Sequence, residues 1–277
     1  MSLPTKIAVL QMTAGIDPVA NAATIAAAAE HAAGEGAAML FTPEMSGLLD
    51  RNRKRATPHI VAEAANPVLA ATRHAAERLG LWIALGSLAV AREDGRWANR
   101  SLLVAPDGRI AARYDKIHMF DVDLASGESW HESNAYAPGE AVVTPATPLG
   151  TLGLTICYDI RFPALFEELG RRCCDAIAIP AAFTVPTGKA HWHLLQRARA
   201  VEASVWVIAA AQTGRHEDGR ETYGHSLVVD PWGEVVLDMG SEPGLGFATI
   251  DPARTAQIRA QLPSLANRRE IPRSNPT

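Results

Sequence analysis

The sequence predicts an α/β fold in which two β-sheets pack face to face between outer layers of helices. Three observations indicate this: strand-like and helix-like segments alternate, the strand-like segments are apolar throughout rather than at every second residue, and the second half repeats the order of the first. Strands that are apolar throughout suit sheets covered on both faces. A chain of 277 residues that is 48% hydrophobic can bury such a core, as one large domain or two closely packed halves.

Local patterns place the elements of the first half. Helices are expected at 18–33 and 67–79, the second with a proline suited to its first turn and Gly80 suited to its C-terminal cap. A Pro-Asp-Gly turn between two apolar segments predicts a hairpin at 101–110. The remaining strands of this half are expected at 6–12, 37–42 and 81–90.

The second half repeats this order. Its hairpin at 226–235 matches the first hairpin at Ser, Leu, Val, Pro and Gly, and Trp206 corresponds to Trp82 at nearly the same offset. These matches indicate an internal duplication, although turn chemistry alone could also produce the likeness of the hairpins. The other elements are strands at 150–156, 176–179 and 205–211 and helices at 163–171 and 190–203.

Composition excludes several classes of partner. The chain has 26 basic and 30 acidic residues, so a nucleic-acid-binding surface is not expected. The longest nearly apolar stretch, 22–29, falls well short of the roughly 18 residues that a membrane-spanning helix needs. The first residues lack the pattern of a secretory signal, and the cysteines number three, which is odd. We therefore expect a cytoplasmic protein with free thiols and no membrane partner.

Cys157 is the candidate nucleophile. It lies where an apolar strand breaks into a polar turn before Pro163, in the segment GLTICYDIRFP. A thiol at such a turn can attack a substrate, and the backbone N–H of Tyr158 can receive a developing oxyanion. The alternative is a cysteine that packs as a small hydrophobic residue. Packing is the expectation for the adjacent pair Cys173 and Cys174.

Two charged residues stand in comparable positions. Glu44, in FTPEMSG, follows an apolar strand and is either a proton carrier or a solvated acid of the loop. Lys116, in RYDKIHMF, is either a surface lysine or a partly buried ammonium that faces negative charge. Near Cys157 the two would complement each other, because a carboxylate can take the proton of the thiol while a cation stabilises the charge that forms.

The chain resembles the nitrilase superfamily of carbon–nitrogen hydrolases. The motifs that carry the resemblance are PEMSG, DKIHMFDVD, GLTICYDIRFP, PAAFTVPTGKAHWH, RARAVE and YGHSLVVDPWGEV. The resemblance places the Glu-Lys-Cys triad of that family on Glu44, Lys116 and Cys157, and a further catalytic glutamate on Glu132. It also implies that Lys116 and the Tyr158 N–H form the oxyanion site.

The same resemblance implies a four-layer αββα sandwich, with internal pseudo-symmetry and a single domain over residues 1–277. It further implies a homodimer or higher homo-oligomer, and amide hydrolysis through a cysteine thioester without metal or cofactor. The motifs are most similar to the deaminated glutathione amidases, which release 2-oxoglutarate and cysteinylglycine from a small carboxylate-bearing ω-amide. Two alternatives stay open: an ω-amidase acting on 2-oxoglutaramate or another ω-amide, and a catalytically idle interaction module.

Three residues are candidates for binding the substrate. Arg161 lies four residues after the nucleophile, and its guanidinium suits a carboxylate. Phe183 and Thr187 could add an apolar wall and a hydroxyl. The competing interpretation of Arg161 is a structural ion pair with Asp159 or Glu167.

Other charged stretches carry weaker signals. His191 and His193 flank Trp192, but residues two apart do not share a helical face, so no metal site is expected. The basic stretch 51–55 is either a solvated loop or a segment over the cavity that attracts an anionic substrate.

Overall fold

The computed structural model describes residues 3–123, 127 and 129–272. Its helices are α1 (Pro18–Gly34), α2 (Arg53–Ala56), α3 (Pro67–Leu79), α4 (Pro163–Arg171), α5 (Val185–Ala203) and α6 (Pro252–Gln261). Its strands are β1 (Thr5–Gln11), β2 (Met39–Phe41), β3 (Trp82–Ala91), β4 (Trp97–Val104), β5 (Ile110–Asp115), β6 (Asp121–Asp123), β7 (Ser129–His131), β8 (Ala146–Thr147), β9 (Gly150–Leu154), β10 (Ala176–Ala178), β11 (Trp206–Ala209), β12 (Thr213–Arg215), β13 (Glu221–Tyr223), β14 (Leu227–Val229), β15 (Val235–Asp238) and β16 (Gly244–Ile250).

Capping explains the bounds of the two helices predicted in the first half. Asp17 is the N-cap of α1, and its side chain accepts a hydrogen bond from the N–H of Val19 in the first turn. Asn66 caps α3, which ends at Gly80 with φ 62°, in the left-handed region that glycine adopts readily. The bounds predicted for α3 are confirmed.

Other elements differ from the predictions. The helix expected at 190–203 begins at Val185, because Pro186 fits a first turn and Gly188 lets the ring of Tyr223 pack closely against the helix. The expected loop 51–55 contains α2, whose N-terminus is capped by Asn52. Neither β16 nor α6 was predicted. Cys173, expected to pack, is exposed, whereas Cys174 is buried.

Two six-stranded sheets repeat one topology. Their strand orders are β16-β1-β2-β3-β4-β5 and β15-β14-β11-β10-β9-β8. In each sheet three parallel strands are followed by two antiparallel ones, β1 to β5 in the first and β9, β10, β11, β14 and β15 in the second. Both hairpins also shift register at matching residues, between Leu103 and Val104 and between Val228 and Val229. The expected internal pseudo-symmetry is confirmed.

The side chains of β1 show how the layers are arranged. Ile7 and Val9 belong to a buried cluster that includes the strands of the second sheet. Ala8 and Leu10, on the opposite face, pack in a second cluster with residues of α1 and α3. Helices α4 and α5 contact each other and contribute to the first cluster, so the order of layers is helix, sheet, sheet, helix. The predicted αββα sandwich is confirmed.

The two sheets approach each other closely at Gly86 in β3. A Cβ atom at this position would overlap with the carbonyl oxygen of Thr42 and lie 2.6 Å from Cβ of Pro180. Thr42 follows β2 and Pro180 follows β10, so the absence of a side chain at Gly86 brings two strand ends together.

Among the described residues, no helix is long and apolar enough to cross a bilayer.

Replacing Gly86 by alanine should lower the free energy of unfolding by about 2–3 kcal/mol, because the added methyl group meets backbone atoms that cannot move away. Gly34→Ala is the matched control, since nothing lies within 4 Å of a Cβ at that helical position. It should leave stability unchanged or raise it by up to about 1 kcal/mol. Urea unfolding followed by circular dichroism measures both, and equal stabilities of the two variants would contradict this account.

Candidate active site

Four of the predicted residues line one cavity of about 870 Å³: Glu44, Lys116, Glu132 and Cys157. Glu44, Lys116 and Cys157 follow β2, β5 and β9, so the three come from separate strand ends. Their exposed fractions are 5%, 2% and 8% respectively. The acid, the ammonium and the thiol that were predicted from separate motifs are therefore buried at the same end of the sheets.

Lys116 lies between two carboxylates. Its Nζ is 3.0 Å from Oε1 of Glu44 and 2.8 Å from Oε2 of Glu132. Burial alone would lower the pKa of Lys116, but the charges of Glu132 and Glu44 outweigh it and hold that pKa well above its usual value. The lysine is therefore a permanent ammonium in the cavity.

The environment of Cys157 favours the neutral form of its thiol. Burial, together with the negative charge of Glu44, raises its pKa well above the usual value, although Lys116 acts in the other direction. A thiol with a raised pKa is protonated near neutral pH and must give its proton to a base before it can attack. Glu44, whose charge acts directly on this thiol, is the candidate for this base.

Asn99 was missed by the sequence analysis. It is fully buried in β4, and its Nδ2 donates to Oε1 of Glu44 (2.9 Å) and to Oε1 of Glu132 (3.0 Å). Its Oδ1 has no partner within the described part of the chain. Asn99 precedes the polar residues Arg100 and Ser101 in the same strand, so its own segment does not single it out.

Distant segments also fix Glu44. Its Oε2 accepts a hydrogen bond from the N–H of Ala182 (3.0 Å), and its carbonyl accepts one from Nε2 of Gln212 (2.9 Å). The next residue, Met45, has φ 54° in the left-handed region. The sequence around Ala182 and Gln212 does not indicate this role, because both residues are far from Glu44 along the chain.

Asp159 holds the turn that presents Cys157. It is fully buried and accepts hydrogen bonds from the N–H of Ile156 (2.9 Å) and the hydroxyl of Tyr114 (2.6 Å). His118 approaches the same carboxylate through its backbone N–H (3.0 Å) and its Nδ1 (2.7 Å). Cys157 itself has φ 47°, a strained conformation for a residue with a side chain.

The amide of Tyr158 is available to a ligand. It stands in the first turn of the 3₁₀ segment Cys157–Arg161, where backbone N–H groups have no partner within the helix. The N–H of Cys157 donates to the carbonyl of Pro180 (2.8 Å), and that of Asp159 donates to Ile156 (3.1 Å). The described residues provide no acceptor for the N–H of Tyr158.

Arg161, Phe183 and Thr187 line the same cavity. The guanidinium carbon of Arg161 is 5.4 Å from the ring centroid of Phe183. Asp159 contacts His118, and Glu167 pairs with Arg171. The competing interpretation, in which Arg161 forms a structural ion pair with either acid, is therefore wrong. Within the described residues, Arg161 makes no salt bridge.

The basic stretch 51–55 lies at the cavity. Arg51 and Arg53 are among the lining residues, and Arg53 donates through Nη2 to the carbonyl of His131 (2.7 Å). Arg55 instead pairs with Asp50 (2.6 Å). The part of the chain that the structure describes offers no carboxylate in a salt bridge to Arg51 or Arg53.

Comparisons with known proteins identify the family of the chain. A sequence profile described as "Carbon-nitrogen hydrolase" matches residues 6–260. The chain is 38% identical over 273 residues to a deaminated glutathione amidase of Synechocystis sp., an alignment that covers 96% of this chain and 98% of the relative.

Solved structures extend the likeness to the fold. The C. elegans NitFhit protein superposes with a TM-score of 0.89 at 34% identity, over 97% of this chain and 66% of that one. A variant of the amidase from Nesterenkonia sp. AN1, which carries acrylamide added to its active-site cysteine, superposes with a TM-score of 0.79 at 26% identity, over 93% and 98% of the two chains. The chain thus belongs to the carbon–nitrogen hydrolase family, in the nitrilase superfamily, and is a hydrolase that acts on amides.

Proposed function

We propose that this enzyme hydrolyses deaminated glutathione to 2-oxoglutarate and cysteinylglycine. The observation that carries the proposal is a buried thiol, carboxylate and ammonium in one cavity beside Arg161, an arginine without a carboxylate partner among the described residues. The relative from Synechocystis sp. bears the name of this activity. A catalytically idle module would have no use for these buried charges, which are costly to remove from water.

In the first half of the reaction, Cys157 attacks the amide. Glu44 accepts the proton of the thiol, and the sulfur forms a bond to the amide carbon. The carbonyl oxygen becomes an oxyanion, which the ammonium of Lys116 and the N–H of Tyr158 stabilise. One correctly aimed donor of this kind contributes about 3 kcal/mol. Protonated Glu44 then gives its proton to the leaving nitrogen, the carbon–nitrogen bond breaks, and the thioester remains.

In the second half, water releases the acid. Glu44 takes a proton from a water molecule, whose oxygen attacks the thioester carbon through the same oxyanion site. The carbon–sulfur bond breaks, 2-oxoglutarate leaves, and the proton held by Glu44 returns to the thiolate of Cys157. Glu132 stays ionised in our mechanism, because its task is to hold the ammonium of Lys116 by the 2.8 Å contact.

Recognition uses the two charged ends of the substrate. Arg161, with Phe183 and Thr187 beside it, binds the carboxylate next to the keto group, and Arg51 and Arg53 attract the carboxylate of the leaving dipeptide. Ligand cavities typically measure about 300–1,000 Å³. The cavity of about 870 Å³ therefore has room for the dipeptide, which favours this substrate over the smaller 2-oxoglutaramate.

The proposed location is the cytoplasm. The nucleophile acts only as a reduced thiol, and Cys157, Cys173 and Cys174 are all free. The cytosol keeps such thiols reduced. Cell fractionation tests this, and recovery of the active enzyme outside the cytosolic fraction would contradict it.

The substrate proposal is tested by comparing kcat/KM for deaminated glutathione, 2-oxoglutaramate and a neutral amide. We expect the highest value for deaminated glutathione, and a higher one for 2-oxoglutaramate would instead support an ω-amidase. Arg161→Ala should lower kcat/KM for both charged amides by roughly 10- to 100-fold, because a charged hydrogen-bonded pair contributes about 1.5–3 kcal/mol.

The neutral amide should lose little in the Arg161→Ala variant. Arg171→Ala, which removes a half-exposed arginine of α4 that pairs with Glu167, is the matched control and should behave as wild type. An equal loss on charged and neutral amides would rule out carboxylate recognition by Arg161.

The Glu44→Gln variant tests whether Glu44 is the base or only a structural residue of the site. Turnover should fall by about 10³-fold or more, because no group remains to move the proton. Since Glu44 raises the pKa of Cys157 and Lys116 lowers it, the variant thiol should ionise more readily and react faster with acrylamide. Mass spectrometry of the Cys157 adduct measures this reaction.

Two controls accompany this experiment. Cys157→Ala should give neither turnover nor adduct at this position, and Glu140→Gln, at an exposed acid, should leave both rates unchanged. Hydrolysis that persists in Glu44→Gln would refute the proposed base.

The proposed partner is a second copy of the chain, bound at the outer face of α5. Leu194 and Val201 lie two helical turns apart on this face and are 67% and 44% exposed. Trp232, 50% exposed, lies in the adjacent turn, where the carbonyl of Gly233 accepts a hydrogen bond from Arg197 of the helix. Large apolar side chains grouped in this way mark an interaction surface.

Leu194→Asp should therefore shift the chain towards the monomer, because it puts a charge at the centre of this patch. Val19→Asp is the matched control, since Val19 is 69% exposed on α1, which covers the other sheet. Sedimentation equilibrium measures the masses. A wild-type monomer, or equal masses for all three proteins, would be incompatible with this surface.

A further inference from the structure

A group of three potential metal ligands lies outside the cavity of the active site. His193 is on α5, His225 precedes β14, and Asp238 ends β15. The Nε2 of His193 is 3.0 Å from Oδ2 of Asp238, and the Nδ1 of His225 is 2.9 Å from Oδ1. One ligand atom from each residue lies within 4.8 Å of the others, and the described residues contain no second group of this kind.

His225 is held rigidly in this position. Its backbone has φ 54°, its N–H donates to the carbonyl of Gly240, and its own carbonyl accepts from Nε1 of the fully buried Trp192 (2.7 Å). The ring of Tyr223 stacks on the imidazole, with 4.5 Å between the centroids. A non-glycine residue in the left-handed region is uncommon and needs such support.

Asp238 and His193 are fixed from the other sides. One oxygen of Asp238 also accepts the N–H of Gly240 (2.9 Å), which closes the turn after β15. His193 belongs to the long helix α5, and its ring meets that of His225 at 5.1 Å between centroids. The three ligands thus come from a helix, a loop and a strand end, and each has a second contact that orients it.

Two imidazoles and one carboxylate form a donor set typical of divalent transition metals such as zinc. Bonds of about 2.0–2.2 Å to a tetrahedral ion would place the ligand atoms roughly 3.3 Å apart. The two contacts to Asp238 need to lengthen by a few tenths of an ångström, and the imidazoles need to move closer together. The side chains are 37%, 27% and 34% exposed, so an ion can enter and keep a water ligand.

We propose that His193, His225 and Asp238 bind one divalent transition-metal ion of the zinc class. The site differs from the cavity of the candidate active site, whose lining residues do not include any of the three. A bound ion would tie α5 to the edge strand of the second sheet and would stabilise that contact against unfolding. The expectation of no metal at His193 considered only its neighbour His191, whereas these ligands meet through the fold.

The test is a titration of metal-free protein with Zn²⁺ by isothermal calorimetry, in a Cys173→Ser background that removes the exposed thiol. We expect one Zn²⁺ per chain in the micromolar range or tighter, a raised Tm, and a visible absorption band typical of tetrahedral coordination when Co²⁺ replaces Zn²⁺. Asp238→Asn and His193→Gln should each weaken binding at least tenfold and abolish the rise in Tm.

His74→Gln, at an exposed histidine of α3, is the matched control and should bind as wild type. Circular dichroism of the metal-free variants shows whether they are folded. If Asp238→Asn does not fold, His193→Gln, at a partly exposed position, still tests the site. No binding to wild type, or equal affinity in wild type, His193→Gln and His74→Gln, would overturn the proposal. Amidase activity plays no part in this experiment, so its outcome is independent of the proposed substrate.

Discussion

The proposed active site depends on an ammonium buried between two carboxylates. Lys116 is 2% exposed, yet Glu44 and Glu132 keep it charged from distances of 3.0 Å and 2.8 Å. Ions removed from water cost several kcal/mol each unless their remaining hydrogen bonds are completed, which Asn99 and backbone amides do here. Such a cluster adds little net stability, but it fixes where the charges lie. In the mechanism we propose, Glu44 is the base, and its negative charge adds to the effect of burial in raising the pKa of the Cys157 thiol.

Pairing of two equivalent sheets brings this cluster together. Parallel strands end at a common edge, so the residues that follow β2, β9 and β10 emerge side by side. Gly86 removes the side chain that would keep the ends of β2 and β10 apart. Cys157, the proposed nucleophile, can then lie in a strained turn, because the buried carboxylate of Asp159 accepts hydrogen bonds from several donors around it.

The sequence was informative where a signal is local and uninformative where it is not. Cys157 and Glu44 could be found because each follows an apolar segment, and Lys116 because it lies just beyond the first hairpin with apolar neighbours. Both sheets followed from repeated patterns. Glu132 came only from the family resemblance, since nothing in its own segment points to the lysine. Asn99 was missed because its partners, Glu44 and Glu132, belong to distant segments that follow β2 and β7. The early start of α5 was missed because its proline and glycine are also typical of loops.

The pairing of β1 with β16 has a consequence for biosynthesis. Thr5 pairs with Ile250, and Nε2 of Gln11 donates to the carbonyls of Gly240 and Glu242. β1 is synthesised more than 200 residues before β16, so its sheet cannot close until β16 has left the ribosome. Until then β1 presents an open edge, which is where nascent chains pair wrongly with one another. The time taken to translate the chain between β1 and β16 thus sets how long that edge stays unpaired.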